Sequence, residues 1–257
     1  MPTAVVTGAN SGIGHAFAQL LISEGYEVHV PHPRLLLLLQ TTKSAKSCSR
    51  YNADFIVRFI TCHPKPPSSV SSDLFPGLDV RSPESISGFA AQLVTKPVDI
   101  LLNVAGVTAQ GDQDALGNVT KDSMTRIFET NTFGPLLLTQ ALLENISQSQ
   151  SPKVGIVSSR VGSIQDNSTG GSYAYRASKA AVNSIGKSLA MDLQSKGVVV
   201  SLLHPGIVVS NLNASAEDQH EAVQPEEAAS KLWAIFQSKG LEDTGKFWHR
   251  EGYELPW

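Results

Sequence analysis

The sequence predicts an α/β protein: a doubly wound parallel sheet between two layers of helices (three-layer αβα), with an irregular insertion at about residues 31–78. Three observations carry this. Short apolar, partly β-branched runs alternate with longer stretches of helical periodicity along most of the 257 residues. The first such run leads directly into a glycine-rich turn and then a helical pattern. Hydrophobic residues make up 41% of the chain and charged residues 17%, enough for one sizeable core over residues 1–257.

Residues 3–6, TAVV, read as a buried strand. Thr7, Gly8, Asn10, Ser11, Gly12, Ile13 and Gly14 form the turn that follows, and residues 13–21 carry helical periodicity. Glycines let backbone approach a pyrophosphate, and a helix N-terminus favours the anion, so this turn is a candidate dinucleotide site. The plainer reading is an ordinary tight turn between strand and helix. Gly25 ends the helix, and a second strand runs to Val30. An acidic residue usually holds the adenine ribose at that strand end. Here the chain continues Pro31-His32-Pro33-Arg34. Arg34 suits a 2′-phosphate, which favours NADP(H) over NAD(H), or it simply opens a solvated loop.

Residues 31–78 do not fit the alternation. They hold Leu35–Leu39, a Ser/Lys run and the Pro/Ser stretch 64–72, too long and irregular for a connection in such a unit. An inserted lid or partner site is one reading. A poorly specified stretch, such as retained intron sequence, is the other and is preferred. Pro76-Gly77 interrupts the place where a third strand should end, just before Leu78-Asp79-Val80.

Order returns at Ser82, the expected N-cap of a helix over 83–94 with Pro83 at its first position. Residues 98–102 read as a strand ended by Asn103-Val104-Ala105-Gly106. Residues 121–145 carry a long helical pattern, with Asn131 in its middle and Gly134-Pro135 just beyond, which predicts a kink. The plainer role for Asn131 is a core amide satisfied by freed helix carbonyls. Residues 154–157 and 198–203 are further strands, ended by Ser158-Ser159 and His204-Pro205-Gly206. A helix opened by Pro225 runs to about Lys239, and a last strand follows Gly245. In a doubly wound sheet ligands bind at the carboxyl ends of the strands. The four motifs that follow strands should therefore share one rim.

Tyr175 and Lys179 are four apart in a helix-compatible run, so they share a face. An ammonium near a phenol favours the phenolate and prepares it for proton transfer. An exposed Tyr/Lys pair is the commoner meaning of such spacing; the converging motifs shift the balance.

Taken together, T-G-A-N-S-G-I-G, N-V-A-G, Asn131, Ser159, Y-x-x-x-K and P-G resemble the short-chain dehydrogenase/reductase family, over residues 3–30 and 79–257. Within it the chain is most similar to the C-factor-like carbonyl reductases, by the long Ser159–Tyr175 loop, the run A-Y-R-A-S-K-A-A-V-N and the tail L-P-W. The resemblance implies a Rossmann-like fold and a carbonyl/alcohol oxidoreductase. Tyr175 would be the general acid/base, and Lys179 would hold the nicotinamide ribose and lower the Tyr175 pKa. Ser159 would bind the substrate carbonyl, and Asn131 would hold a water linking Lys179 to solvent. Gly8, Gly12 and Gly14 would line the pyrophosphate. Asp79 and Val80 would meet the adenine, Asn103, Ala105 and Gly106 its ribose side. Pro205, Gly206, Val208 and Ser210 would pack around the nicotinamide. Ser158 and Ser163 are the alternatives to Ser159, and Tyr173 is a rival phenol read as substrate-loop packing. Val104 stands where the family commonly has a second Asn. A homodimer or homotetramer is a further implication.

A net charge of -3 argues against nucleic acid, and no run is long enough to span a membrane. The N-terminus shows no secretory leader. The two cysteines, Cys48 and Cys62, indicate a reducing, cytoplasmic setting rather than a disulfide framework. No metal site is expected. The substrate-facing stretches 108–119, 164–171 and 210–223 are polar, which predicts an open pocket. The alternative to an enzyme is a non-catalytic or defective dinucleotide-binding protein on the same fold.

Overall fold

The computed structural model describes residues 1–30, 77–213, 216 and 219–257. Among these residues six strands form one sheet: β1 (Thr3–Val6), β2 (Glu27–His29), β3 (Ile100–Asn103), β4 (Lys153–Val157), β5 (Val199–His204) and β6 (Lys246–His249). The order is β2-β1-β3-β4-β5-β6, and every pairing is parallel. Parallel neighbours need crossovers, and helices supply them. They are α1 (Gly12–Ser23), α2 (Pro83–Gln92), α3 (Lys121–Phe128), α4 (Gly134–Ala141), α5 (Leu143–Ser147), α6 (Tyr173–Leu193) and α7 (Pro225–Ser238).

The strand side chains alternate between two cores. Ala4, Val6, Leu102 and Leu203 pack with Phe17 and Leu21 of α1 and Leu232, Trp233 and Phe236 of α7. Val5, Leu101, Val154, Ile156 and Val200 point the other way, against Phe89 of α2, Leu138 of α4 and Val182 and Leu193 of α6. Each of these fully buried large side chains contributes about 1.5–3 kcal/mol. The strands are apolar at consecutive positions because both faces are covered.

The helix starts follow local chemistry. Ser82 caps α2 by accepting from the Ser85 N–H at 3.1 Å, with Pro83 at the first position as expected. Thr120 and Ser123 form a reciprocal capping box on α3. The helical stretch 121–145 is not continuous. It divides into α3, a π-helical turn at Glu129–Phe133, α4 and α5. The irregularity lies in the π turn immediately before Gly134, where a kink was expected.

No strand forms at residues 77–80, which are irregular and then turn. The insertion expected at 31–78, with Arg34 inside it, lies outside the described residues except for Gly77 and Leu78.

Candidate active site

The strand ends do converge. A cleft of about 1370 Å³ opens at the carboxyl rim of the sheet. Its walls include the Gly8–Gly14 turn, the Val104–Thr108 loop, Ser159, Tyr175, Lys179 and the loop from His204 to Ser210.

The glycine turn meets the demand for close approach. Gly8 has φ +67°, and a Cβ there would lie 2.8 Å from the Ala105 backbone. A Cβ on Gly14 would collide with the carbonyl of Gly8. The turn and the β3 loop therefore pack backbone to backbone. Thr7 stitches them, its Oγ1 accepting from Val104 N at 2.9 Å and Ala105 N at 3.0 Å. Helix α1 begins at this turn with no side-chain cap and no acidic residue in its first turn. Its leading N–H groups and dipole are left without a competing carboxylate, which is what an anion would require. Gly8, Asn10, Ser11, Gly12, Ile13 and Gly14 all line the cleft. Thr7 does not; its hydroxyl ties the two loops together.

At the other end of the cleft stand the candidates for proton transfer. Helix α6 projects Tyr175 and Lys179 side by side, with Lys179 Nζ 5.8 Å from the phenol ring centroid. Lys179 Nζ donates to the Val157 carbonyl at 2.9 Å. Burial pushes the Lys179 ammonium down to about 8. Burial also pushes the Tyr175 phenol up to about 12, partly countered by a hydrogen bond from Ser159. The net shift of the Tyr175 phenol is thus upward, opposite to the lowering expected from Lys179. Desolvation is the dominant influence on the phenol, and the Lys179 ammonium donates to Val157.

Ser159 lies at the end of β4 and lines the cleft. It caps the 3₁₀ turn Arg160–Gly162, accepting from Val161 N at 3.4 Å. Gly162 makes the contact with α6 feasible, since a Cβ there would sit 2.7 Å from the Lys179 backbone. The alternatives are engaged elsewhere: Ser158 donates to Asn183 Oδ1 at 2.6 Å, and Ser163 accepts from Asp166 N at 3.1 Å. Tyr173 is the first residue of α6, is 41% exposed and does not line the cleft.

Asn131 is buried in the π turn. It accepts from Val107 N at 2.8 Å and donates to Val107 O at 2.9 Å and Ser178 Oγ at 3.1 Å. Its partners are the β3 loop and α6, not helix carbonyls of its own segment. A Cβ on Gly106 would lie 3.5 Å from Asn131 Oδ1 and 3.7 Å from Lys179 Nζ. The two polar groups thus flank one small space.

Ala105, Gly106, Pro205, Gly206, Val208 and Ser210 line the cleft as expected. Asn103 does not: it is buried, with Nδ2 3.4 Å from Thr139 Oγ1. Asp79 and Val80 line a second cavity of about 410 Å³, together with Val30, Arg81 and Arg126. The Asp79 carboxylate is held by Arg81 at 2.7 and 3.0 Å, which keeps it below the usual carboxylate range.

Several residues escaped the sequence reading. Arg250 is buried beside the loop after β5 and donates to the carbonyls of Pro205, Ile207 and Glu221 at 2.8–3.1 Å. His249 and Tyr253 stack at 4.5 Å, and both line the cleft, as do Arg160 and Arg176. β6 ends at His249, so the strand-end rule would have found it. His204, packed 5.2 Å from His249, is pushed down to about 3 by burial and nearby cations, and stays neutral.

The arrangement defines a class: a doubly wound parallel α/β oxidoreductase of the dinucleotide-binding kind. Residues 68–221 match the family model for short chain dehydrogenase, and the chain belongs to that family. It is 36% identical over 259 aligned residues to 1-hydroxy-2-glutathionyl-2-methyl-3-butene dehydrogenase of Rhodococcus sp. (strain AD45), covering all of both chains. It is 38% identical to C-signal of Myxococcus xanthus over 66% of this chain and 98% of that one. Among solved structures, NADPH-bound carbonyl reductase from chicken fatty liver superposes with a TM-score of 0.79 at 26% identity, over 100% and 99% of the two chains. Among the described residues, no helix is long and apolar enough to cross a membrane, and no cluster of three metal-ligating side chains occurs.

Proposed function

We propose that this chain is an NADP(H)-dependent carbonyl reductase, interconverting a carbonyl and an alcohol, with Tyr175 as general acid/base beside Lys179, Ser159 and Asn131. The observation that carries the reading is the buried Tyr175–Lys179 pair, next to Ser159, at one end of a cleft whose other end is the glycine cradle and bare N-terminus of α1. When bound, a nicotinamide dinucleotide supplies or takes the hydride. The cleft's volume suits such a ligand together with a small substrate.

The chain's own residues do the rest. The N–H groups at the start of α1 bind the pyrophosphate. Ser159 donates to the substrate oxygen and steadies its developing charge. Tyr175 gives that oxygen its proton in reduction, or takes one in oxidation. A phenol raised to about 12 is fully protonated at neutral pH, the form reduction needs. Reduction is therefore flat with pH through neutrality and falls only as the phenol ionises; oxidation rises with pH. Lys179 holds the ribose and presents its remaining protons to the cleft. The space between Asn131 Oδ1 and Lys179 Nζ suits the water expected to link them.

The preference for NADP(H) rests on two points. The carboxyl end of β2, at His29 and Val30, carries no acid among the described residues. Arg81 and Arg126 line the adjoining cavity. The chicken relative's NADPH agrees with this.

The test is Tyr175→Phe, assayed with NADPH and a panel of ketones and aldehydes. Turnover should fall at least about 100-fold, with NADPH affinity within a few-fold. Unchanged turnover would overturn the assignment.

A further inference from the structure

The catalytic helix has an unusual beginning. Ser172, the residue before α6, adopts a left-handed conformation at φ 49° and its side chain makes no capping bond. The first helical hydrogen bond runs from Arg176 N to Ser172 O at 2.8 Å. The N–H groups of Tyr173, Ala174 and Tyr175 have no partner inside the helix and would need one from outside.

One residue, 60 positions away in sequence, supplies all three. The carbonyl of Asp114 accepts from Tyr173 N at 3.3 Å. Its Oδ1 accepts from Ala174 N at 2.6 Å and its Oδ2 from Tyr175 N at 3.0 Å. Asp114 is buried, although it comes from the polar loop 107–120. That loop is itself folded around the residue. Gln113 N donates to Gln110 O, Ala115 N to Asp112 O, and the Asn118 amide closes back on Asp112 at 3.0 Å.

We propose that Asp114 is a positioning residue for Tyr175, setting the height and rotation of the phenol through the first turn of α6. This deepens the oxidoreductase reading given above and rests on it. Three features support it. Two of the acceptors are carboxylate oxygens, and charged acceptors make the stronger hydrogen bonds. The carboxylate sits at the positive end of a 21-residue helix. And the bonded amide at 3.0 Å is that of Tyr175 itself, so any shift of the cap moves the acid/base directly. The same loop begins at Val107, which Asn131 grips on both backbone atoms. One loop thus links the Asn131 turn to the N-terminus that carries Tyr175.

The experiment compares wild type with Asp114→Asn and Asp114→Ala. Asp114→Asn keeps the shape and one acceptor oxygen, so it tests the idea even where Asp114→Ala does not fold. Two quantities are read: hydrogen exchange at the amides of residues 173–175, and kcat per NADPH-binding site, with KM for NADPH. Exchange should speed up in both variants. kcat per site should fall roughly 10- to 100-fold in Asp114→Ala and less in Asp114→Asn, with KM for NADPH within about threefold of wild type. Counting per binding site removes misfolded protein from the comparison. Faster exchange with unchanged kcat per site would reduce Asp114 to a structural cap and overturn the proposal, as would unchanged exchange. If wild type binds NADPH but turns over no carbonyl, the oxidoreductase reading fails first and takes this inference with it, a result recognisable because wild type and variants are equally inert.

Discussion

Lys179 is the residue where the proposed catalysis and stability conflict. Its ammonium is buried and donates to the Val157 carbonyl, and burial pushes it down to about 8. A lysine whose folded pKa lies below its unfolded value costs stability wherever the unfolded chain holds the extra proton. That cost is full below about pH 8 and fades as pH rises toward the unfolded value near 10.5. Lys179→Met removes it. The variant should be more stable than wild type at pH 7, by up to roughly 3 kcal/mol, and the gap should narrow by pH 9.5. Urea unfolding at the two pH values checks this; a gap that widens with pH would contradict the burial argument. The same variant should lose turnover. Gly106 gives a second test at this scale. Its missing Cβ leaves the space between Asn131 Oδ1 and Lys179 Nζ, and a methyl there would make only ordinary contacts. Gly106→Ala should fold with a change under about 1 kcal/mol and yet weaken NADPH binding about tenfold, because it fills room the ligand and its water use. Fluorescence titration with NADPH measures it.

At the scale of elements, what was legible followed local rules, and what was missed depended on distant contacts. The caps of α2, the glycine turn and the strand ends could be read because propensity and tertiary structure agree there. The helical stretch 121–145 showed its kink through Gly134-Pro135 but not its π turn. That turn is stabilised by Asn131 on Val107 and by Thr132 donating to Ser178 O at 3.0 Å, contacts with other elements. Asp114 was missed for the same reason: an Asp in a polar loop carries no local sign of capping a helix 60 residues on. Arg250 is the third such case. It fans into three carbonyls that fix the Pro205–Ile207 and Glu221 segments, and Gly206, at φ +71°, leaves it room. A lysine has no planar fork to reach all three. Arg250→Lys should cost about 2–3 kcal/mol, read as a lower urea midpoint, and should raise KM for NADPH more than it lowers kcat. Unchanged KM would mean the loop is held by other contacts.

At the scale of the whole molecule, topology made the function readable. A parallel sheet puts every strand's carboxyl end on one rim, so four motifs spread over some 200 residues could be assigned to one cleft from the chain order. The second cavity, beside Asp79 and Val30, is the proposed adenine side of that rim, and Arg34 lies outside the described residues. Cofactor choice is therefore best tested on the intact protein by ligand-linked stability. A ligand at 100 times its Kd stabilises the folded state by about 2.7 kcal/mol. For a domain of this size that raises Tm by roughly 5–10 °C. NADPH should give this shift at a concentration where NADH gives less than half of it. Equal shifts would remove the 2′-phosphate preference and leave the enzyme reading standing. No shift with either would favour a chain that cannot form the nucleotide pocket, because the glycine cradle and Lys179 would then be present without the adenine side that completes them.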